Sequence, residues 1–170
     1  QSYFDMHVEI EGRAYLVLVP EVDTAAKMLF DYVIEWKGSA GYSMVRVHSG
    51  QFDMGSSSGD SDERPPHSVK LTRDFYIGKA EVSQGLYSSV MGKNPSGFAS
   101  CGEDCPVENV SWCDAVVFSN RLSGIEGLEV AYYLPPGFQR GMDEEACSRL
   151  SRLVRVNMDS TGYRLPTEAE

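Results

Sequence analysis

The stretch "CPVENVSWCDAVVFSNRLS", residues 105–123, passes from a proline-bearing loop into an amphipathic helix. Ser111 stands where an N-cap belongs, because its hydroxyl can accept a backbone N–H that the first helical turn leaves unsatisfied. Ala115, Val116, Phe118 and Leu122 then recur at helical spacing, which predicts a helix from Trp112 to about Ser123 with Gly124 as its stop. Trp112 lies in the first turn of that helix. There it is expected to be a core anchor that ties the helix to a sheet, in preference to a stacking surface for a ligand.

Upstream, the chain breaks into short strands divided by glycine and proline. Val45 to Val47 and Gln51 to Met54 flank Ser49-Gly50, which reads as a hairpin turn. Residues 56–66 form a polar loop, Val69 to Leu71 and Phe75 to Ile77 read as strands, and a short helix is predicted from Ser83 to Gly92. Before residue 43 the texture differs. Residues 3–10 and 13–19 predict a hairpin about Glu11-Gly12, and a helix capped by Asp23 or Thr24 carries Ala26, Leu29, Phe30, Val33 and Ile34 up to Trp36. The run Lys37-Gly38-Ser39-Ala40-Gly41 is a linker, so 1–42 is expected to be an extension or the end of a preceding domain, and 43–170 a second domain.

Downstream, Tyr132-Tyr133-Leu134 reads as a strand ended by Pro135-Pro136-Gly137. Asp143 to Leu153 predicts a helix with Ala146, Leu150 and Leu153 facing inward. The last residues, "TGYRLPTEAE", place Thr167 three positions before Glu170, the capping-box pattern of a helix start. Pro166 supports it by disfavouring helical geometry at Leu165. A helix announced there has no body in this sequence, so either the chain is part of a longer folding unit or the end is a frayed tail and the signal is chance. Short irregular elements joined by long loops make the fold class α+β.

The 170 residues carry a formal net charge of −10, with 42% apolar content. Such a surface repels nucleic acid and anionic membranes. The longest apolar run, residues 14–19, falls far short of the roughly 20 residues a membrane span requires. The acidic "GDSDE" segment lacks the ligand spacing and closing glutamate of an EF-hand and reads as a solvated loop.

Four cysteines occur. Cys101 and Cys105 suit a local disulfide if the protein is extracytoplasmic, and that location is favoured. A zinc site from Cys101, Cys105 and Cys113 lacks a second pair or a histidine at ligand spacing. Cys113 and Cys147 read most simply as buried free thiols, with pairing between them left open. His7, His48 and His67 form no local pattern of nucleophile activation. His67, after Pro65-Pro66, is expected to hydrogen-bond its loop.

Successive stretches "SGQFDMGS", "ERPPHSV", "DFYIGKAEVSQGLY", "NPSGF", "CPVENVSWCDAVVFSNRLS" and "GYRLPTEAE" resemble, in that order, the first half of formylglycine-generating enzyme domains, also called sulfatase-modifying-factor domains. The resemblance covers about residues 43–170; Ser83 stands where the family commonly has threonine. It implies a loop-rich fold related to C-type lectins, in which "RLPTEAE" continues into a helix. Catalytic members oxidise a substrate cysteine to formylglycine with copper held by a cysteine pair. That pair and the calcium ligands lie downstream of this motif, so no catalytic or metal residue is carried over, and copper and calcium are expected only in a full-length parent. Many relatives are noncatalytic display or binding modules. The resemblance therefore implies a module that binds a protein or small ligand through its loops; alternatively, the chain is the first part of a genuine oxidase, or a half-domain completed by a second polypeptide. Thr167, Glu170, His67 and Trp112 are the expected structural anchors.

Overall fold

A computed structural model describes residues 3–10, 13–20, 36–37 and 40–170. The chain divides into two compact units, Gln1–Val33 and Ile34–Glu170. The first holds an antiparallel hairpin of β1 (Tyr3–Ile10) and β2 (Arg13–Pro20), in register from Tyr3 opposite Pro20 to Ile10 opposite Arg13. The Glu11-Gly12 turn and the helix expected over residues 24–35 lie outside the described residues. Trp36, expected at the end of that helix, is instead in a strand.

That strand, β3 (Trp36–Lys37), begins the described part of the second unit. It pairs with β4 (Ser43–Val47), which pairs on its other edge with β7 (Phe75–Gly78). β5 (Gly50–Met54) and β6 (His67–Leu71) form a separate antiparallel pair. The hairpin expected between β4 and β5 is therefore not formed. Gly50 already belongs to β5, and the two strands take different partners because pairing is decided by packing beyond the local sequence. Val45 faces Ile77 in the register of β4 with β7.

Three helices follow: α1 (Gln84–Met91), α2 (Trp112–Glu126) and α3 (Glu144–Ser151). Each begins on a side-chain cap, the Ser83 hydroxyl accepting from Leu86 N at 3.2 Å, Ser111 from Asp114 N at 3.1 Å and the Asp143 carboxylate from Ala146 N at 2.7 Å. α1 closes on Gly92 at φ +76°, a conformation that costs glycine nothing. α2 runs past Gly124 to a left-handed cap at Gly127. The expected stop at Gly124 fails because one glycine inside a helix costs only about 1 kcal/mol, and Glu126 on the extra turn is buried.

The core lies between α1 and α2. Tyr87, Val90 and Met91 meet Val117, Phe118 and Leu122, and the Tyr87 and Phe118 rings stack with centroids 5.3 Å apart. Burying a side chain such as Met91 or Leu122 contributes about 1.5–3 kcal/mol relative to exposure. A second cluster joins Val116 of α2 to Ala131 and to Tyr132 of β8 (Tyr132–Tyr133), which pairs with β9 (Arg155–Val156). α3 differs from its predecessors in having no buried residue. Leu153, expected to face inward, is past the helix end and 60% exposed. Among the described residues no helix is long and apolar enough to cross a membrane.

Candidate functional site

Residues 94–110 leave α1 and return to α2 as a long loop, and its shape is set by one buried amide. Gln84, 2% exposed, accepts from Asn94 Nδ2 at 2.8 Å and donates through Nε2 to the Phe98 and Pro106 carbonyls at 3.4 and 3.3 Å. The backbone N–H groups of Gln84 and Gly85 donate to Cys105 O and Glu103 O at 2.8 and 2.9 Å. Farther out, the Glu108 carboxylate accepts from Phe98 N at 2.9 Å, and Asn109 takes a left-handed φ of 59°, which asparagine tolerates better than most residues. Cys101 and Cys105 are joined in a disulfide across this loop. At its tip Phe98 is 75% exposed, so the bracing holds an aromatic ring out in solvent.

Cys113 and Cys147 form a second disulfide, with Cα atoms 6.0 Å apart. Cys113 is fully buried at the start of α2, but neither cysteine is the free thiol expected of it; no free cysteine remains. The bond joins α2 to α3, and Asp114 adds a carboxylate that accepts from Gly141 N at 2.7 Å. Between the two helices lies an open cleft of about 700 Å³. Trp112 forms one wall. It is 43% exposed and lies outside the core, because the α2 face that points into the core is the one bearing Val116, Val117 and Phe118, but its contact with Tyr132 of β8 ties the helix to a sheet. Tyr132 and Phe138 hold the indole edge-on, each with ring centroids 6.5 Å away.

The segment 162–170 packs on the core through the Tyr163 and Leu165 side chains and is tied down by its backbone. Tyr163 N donates to Ser123 Oγ at 2.8 Å and Leu165 N to Tyr132 Oη at 2.9 Å. Burial pushes the Tyr132 phenol up, with the Leu165 hydrogen bond opposing. A side chain at Gly162 would strike the Glu129 carbonyl oxygen and Ser123 Oγ, so this approach requires glycine. Thr167 and Glu170 make half of a capping box: the Glu170 carboxylate accepts from Thr167 N at 3.0 Å. Its main partner is Arg164, which donates two hydrogen bonds of 2.6 Å in a bidentate pair that is largely buried. Those bonds lower the Glu170 carboxyl to about 2, and they raise Arg164. His67 sits exposed at the start of β6, its Nδ1 3.2 Å from the Pro65 carbonyl oxygen.

These anchors do not converge. Cys101 and Cys105 belong to the loop, Trp112 to the cleft, Thr167 and Glu170 to the terminal segment, and His67 to the β5–β6 pair. Of the residues that organise each place, Asn109, Ser123 and Arg164 bear no local sequence signal, and the Cys113–Cys147 bond is a pairing that the sequence leaves open. Only Gln84 had a hint, as a polar residue directly inside a cap and next to an apolar helix face.

Among the described residues no group of three or more histidine, cysteine, aspartate or glutamate side chains is placed to hold a metal ion. Copper(I) seeks soft thiolates, and all four cysteines are closed in disulfides, so these residues do not fit it. Nor do they fit calcium, which requires several convergent oxygen ligands.

Residues 35–170 match the family model described as the sulfatase-modifying factor enzyme 1-like domain. A curated relative, the chaperone protein LppX of Paenibacillus barcinonensis, is 40% identical over 127 residues, covering 75% of this chain and 42% of its own. Among solved structures, Treponema denticola variable protein 1 superposes with a TM-score of 0.68 at 28% identity, over 81% of this chain and 54% of its own. The protein CarF superposes with a TM-score of 0.55 at 30% identity, over 76% and 54% respectively. The chain thus spans about half the length, or less, of the proteins it resembles.

Proposed function

Because this chain belongs to the sulfatase-modifying factor enzyme 1-like domain family, we propose that it acts as a noncatalytic binding module, presenting cross-linked loops to a protein or small ligand. The observation that carries this reading is the use of the cysteines. All four are consumed in bonds that brace the Phe98 loop and the cleft beside Trp112. A display surface needs rigid loops, since pre-organised groups lose less entropy on binding, and these cross-links supply that rigidity in the part of the domain that precedes the catalytic members' cysteine pair. Among the similar proteins, one is named a chaperone and one a variable protein, names that suit a binding role. Two disulfides also favour an extracytoplasmic location, where such bonds persist.

The test uses the full-length protein loaded with copper and given a cysteine-containing sulfatase peptide. The expected result is no oxygen consumption above a copper-only control. Stoichiometric conversion of the peptide cysteine to formylglycine would overturn the reading and identify the chain as the first part of an oxidase.

A further inference from the structure

We infer that the cleft between α2 and α3 is a binding site for an extended polypeptide segment in which an apolar side chain is flanked on one side by an acidic and on the other by a basic residue. The inference rests on the binding-module reading and adds the site and the ligand class. The cleft volume, about 700 Å³, lies in the range of about 300–1,000 Å³ typical of ligand pockets. The half-exposed Trp112 ring, Met142 and Cys147 give its lining an apolar part. Tyr132 and Phe138 fix the indole edge-on, so the ring does not have to be ordered when a ligand arrives.

Its charges sit at opposite ends. Glu144 opens α3 and Arg152 caps it, and both line the cleft. They are separated by about 12 Å along the helix at 1.5 Å per residue. Neither has an ion-pair partner among the described residues. An extended chain advances about 3.3–3.6 Å per residue, so charges four residues apart in a peptide meet both ends while the central side chain lies over Trp112. Ser148, between the two, offers a hydroxyl to the peptide backbone.

Fluorescein-Gly-Gly-Glu-Gly-Phe-Gly-Lys-amide, labelled on its N-terminal amine so that the lysine keeps its charge, is the probe, measured by fluorescence anisotropy with the full chain at low salt. Saturable binding below about 1 mM is expected. A Lys-Gly-Phe-Gly-Lys probe should bind the wild type about tenfold more weakly, and Arg152→Glu should reverse that order. Replacing the phenylalanine by glycine should abolish binding to both proteins. Lack of saturation, or the same preference between probes in wild type and Arg152→Glu, would overturn the proposal. Either result leaves the oxygen-consumption outcome, and so the noncatalytic reading, to stand or fall independently.

Discussion

The Phe98 loop and the α3 wall are each closed by a disulfide, but they are held in different ways. In the loop the Cys101–Cys105 bond spans a sequence separation of 4 and supplements a dense set of hydrogen bonds centred on Gln84. In the wall the Cys113–Cys147 bond spans a separation of 34 and tethers a helix with no buried residue. Chain-entropy reasoning gives about 2 kcal/mol for the short closure and about 4 kcal/mol for the long one. The lesson concerns what each bond protects: the loop keeps its shape through polar contacts, whereas α3 depends on its cross-link.

Breaking the long bond should therefore have the largest effect. Cys147→Ser is expected to cost about 4 kcal/mol in chemical denaturation and to abolish amide-exchange protection over residues 144–151, while protection in α1 persists. Equal protection of α3 in the variant would show that packing holds the wall. Next comes the loop's own support. Gln84→Leu keeps the volume but strands the Asn94 amide and two carbonyls, for an expected loss of about 3 kcal/mol. The Cys101→Ser, Cys105→Ser pair should cost less, about 2 kcal/mol, with the loop amides still protected. If the double serine variant exceeded Gln84→Leu, the ranking of supports in the loop would be inverted.

The parts of this architecture that sequence exposes are those fixed locally. Ser83, Ser111 and Asp143 announce their helices because a cap is a bond between neighbours, and Gly92 ends α1 for a reason contained in its own φ angle. Partners chosen across the chain leave no such mark. β4 turns from β5 to β7, Cys113 finds Cys147, and Arg164 shares with Thr167 N the Glu170 carboxylate that the capping pattern assigns to Thr167 alone. Trp112 shows the same limit within one helix. Its position in the first turn is legible, but whether that face meets the core or a cleft depends on where α3 is tied.

The family motifs were readable in sequence as an ordered series, and the structure explains why two of them carry weight. Asn109 in "PVENVSW" provides a left-handed turn before the Ser111 cap, and Gly162 in "GYRLPTEAE" permits the approach to Glu129 and Ser123. Both are backbone requirements. They organise a surface without supplying a reactive group.

The claim that the cysteines are structural supports of a binding surface is tested most directly by mapping their pairing in the native protein. Alkylation before unfolding, then proteolysis without reductant and mass spectrometry, should yield Cys101 linked to Cys105 and Cys113 linked to Cys147, with none of the four alkylated. Recovery of any of them as an alkylated thiol in the purified protein, or of pairs exchanged between the loop and the helices, would contradict it.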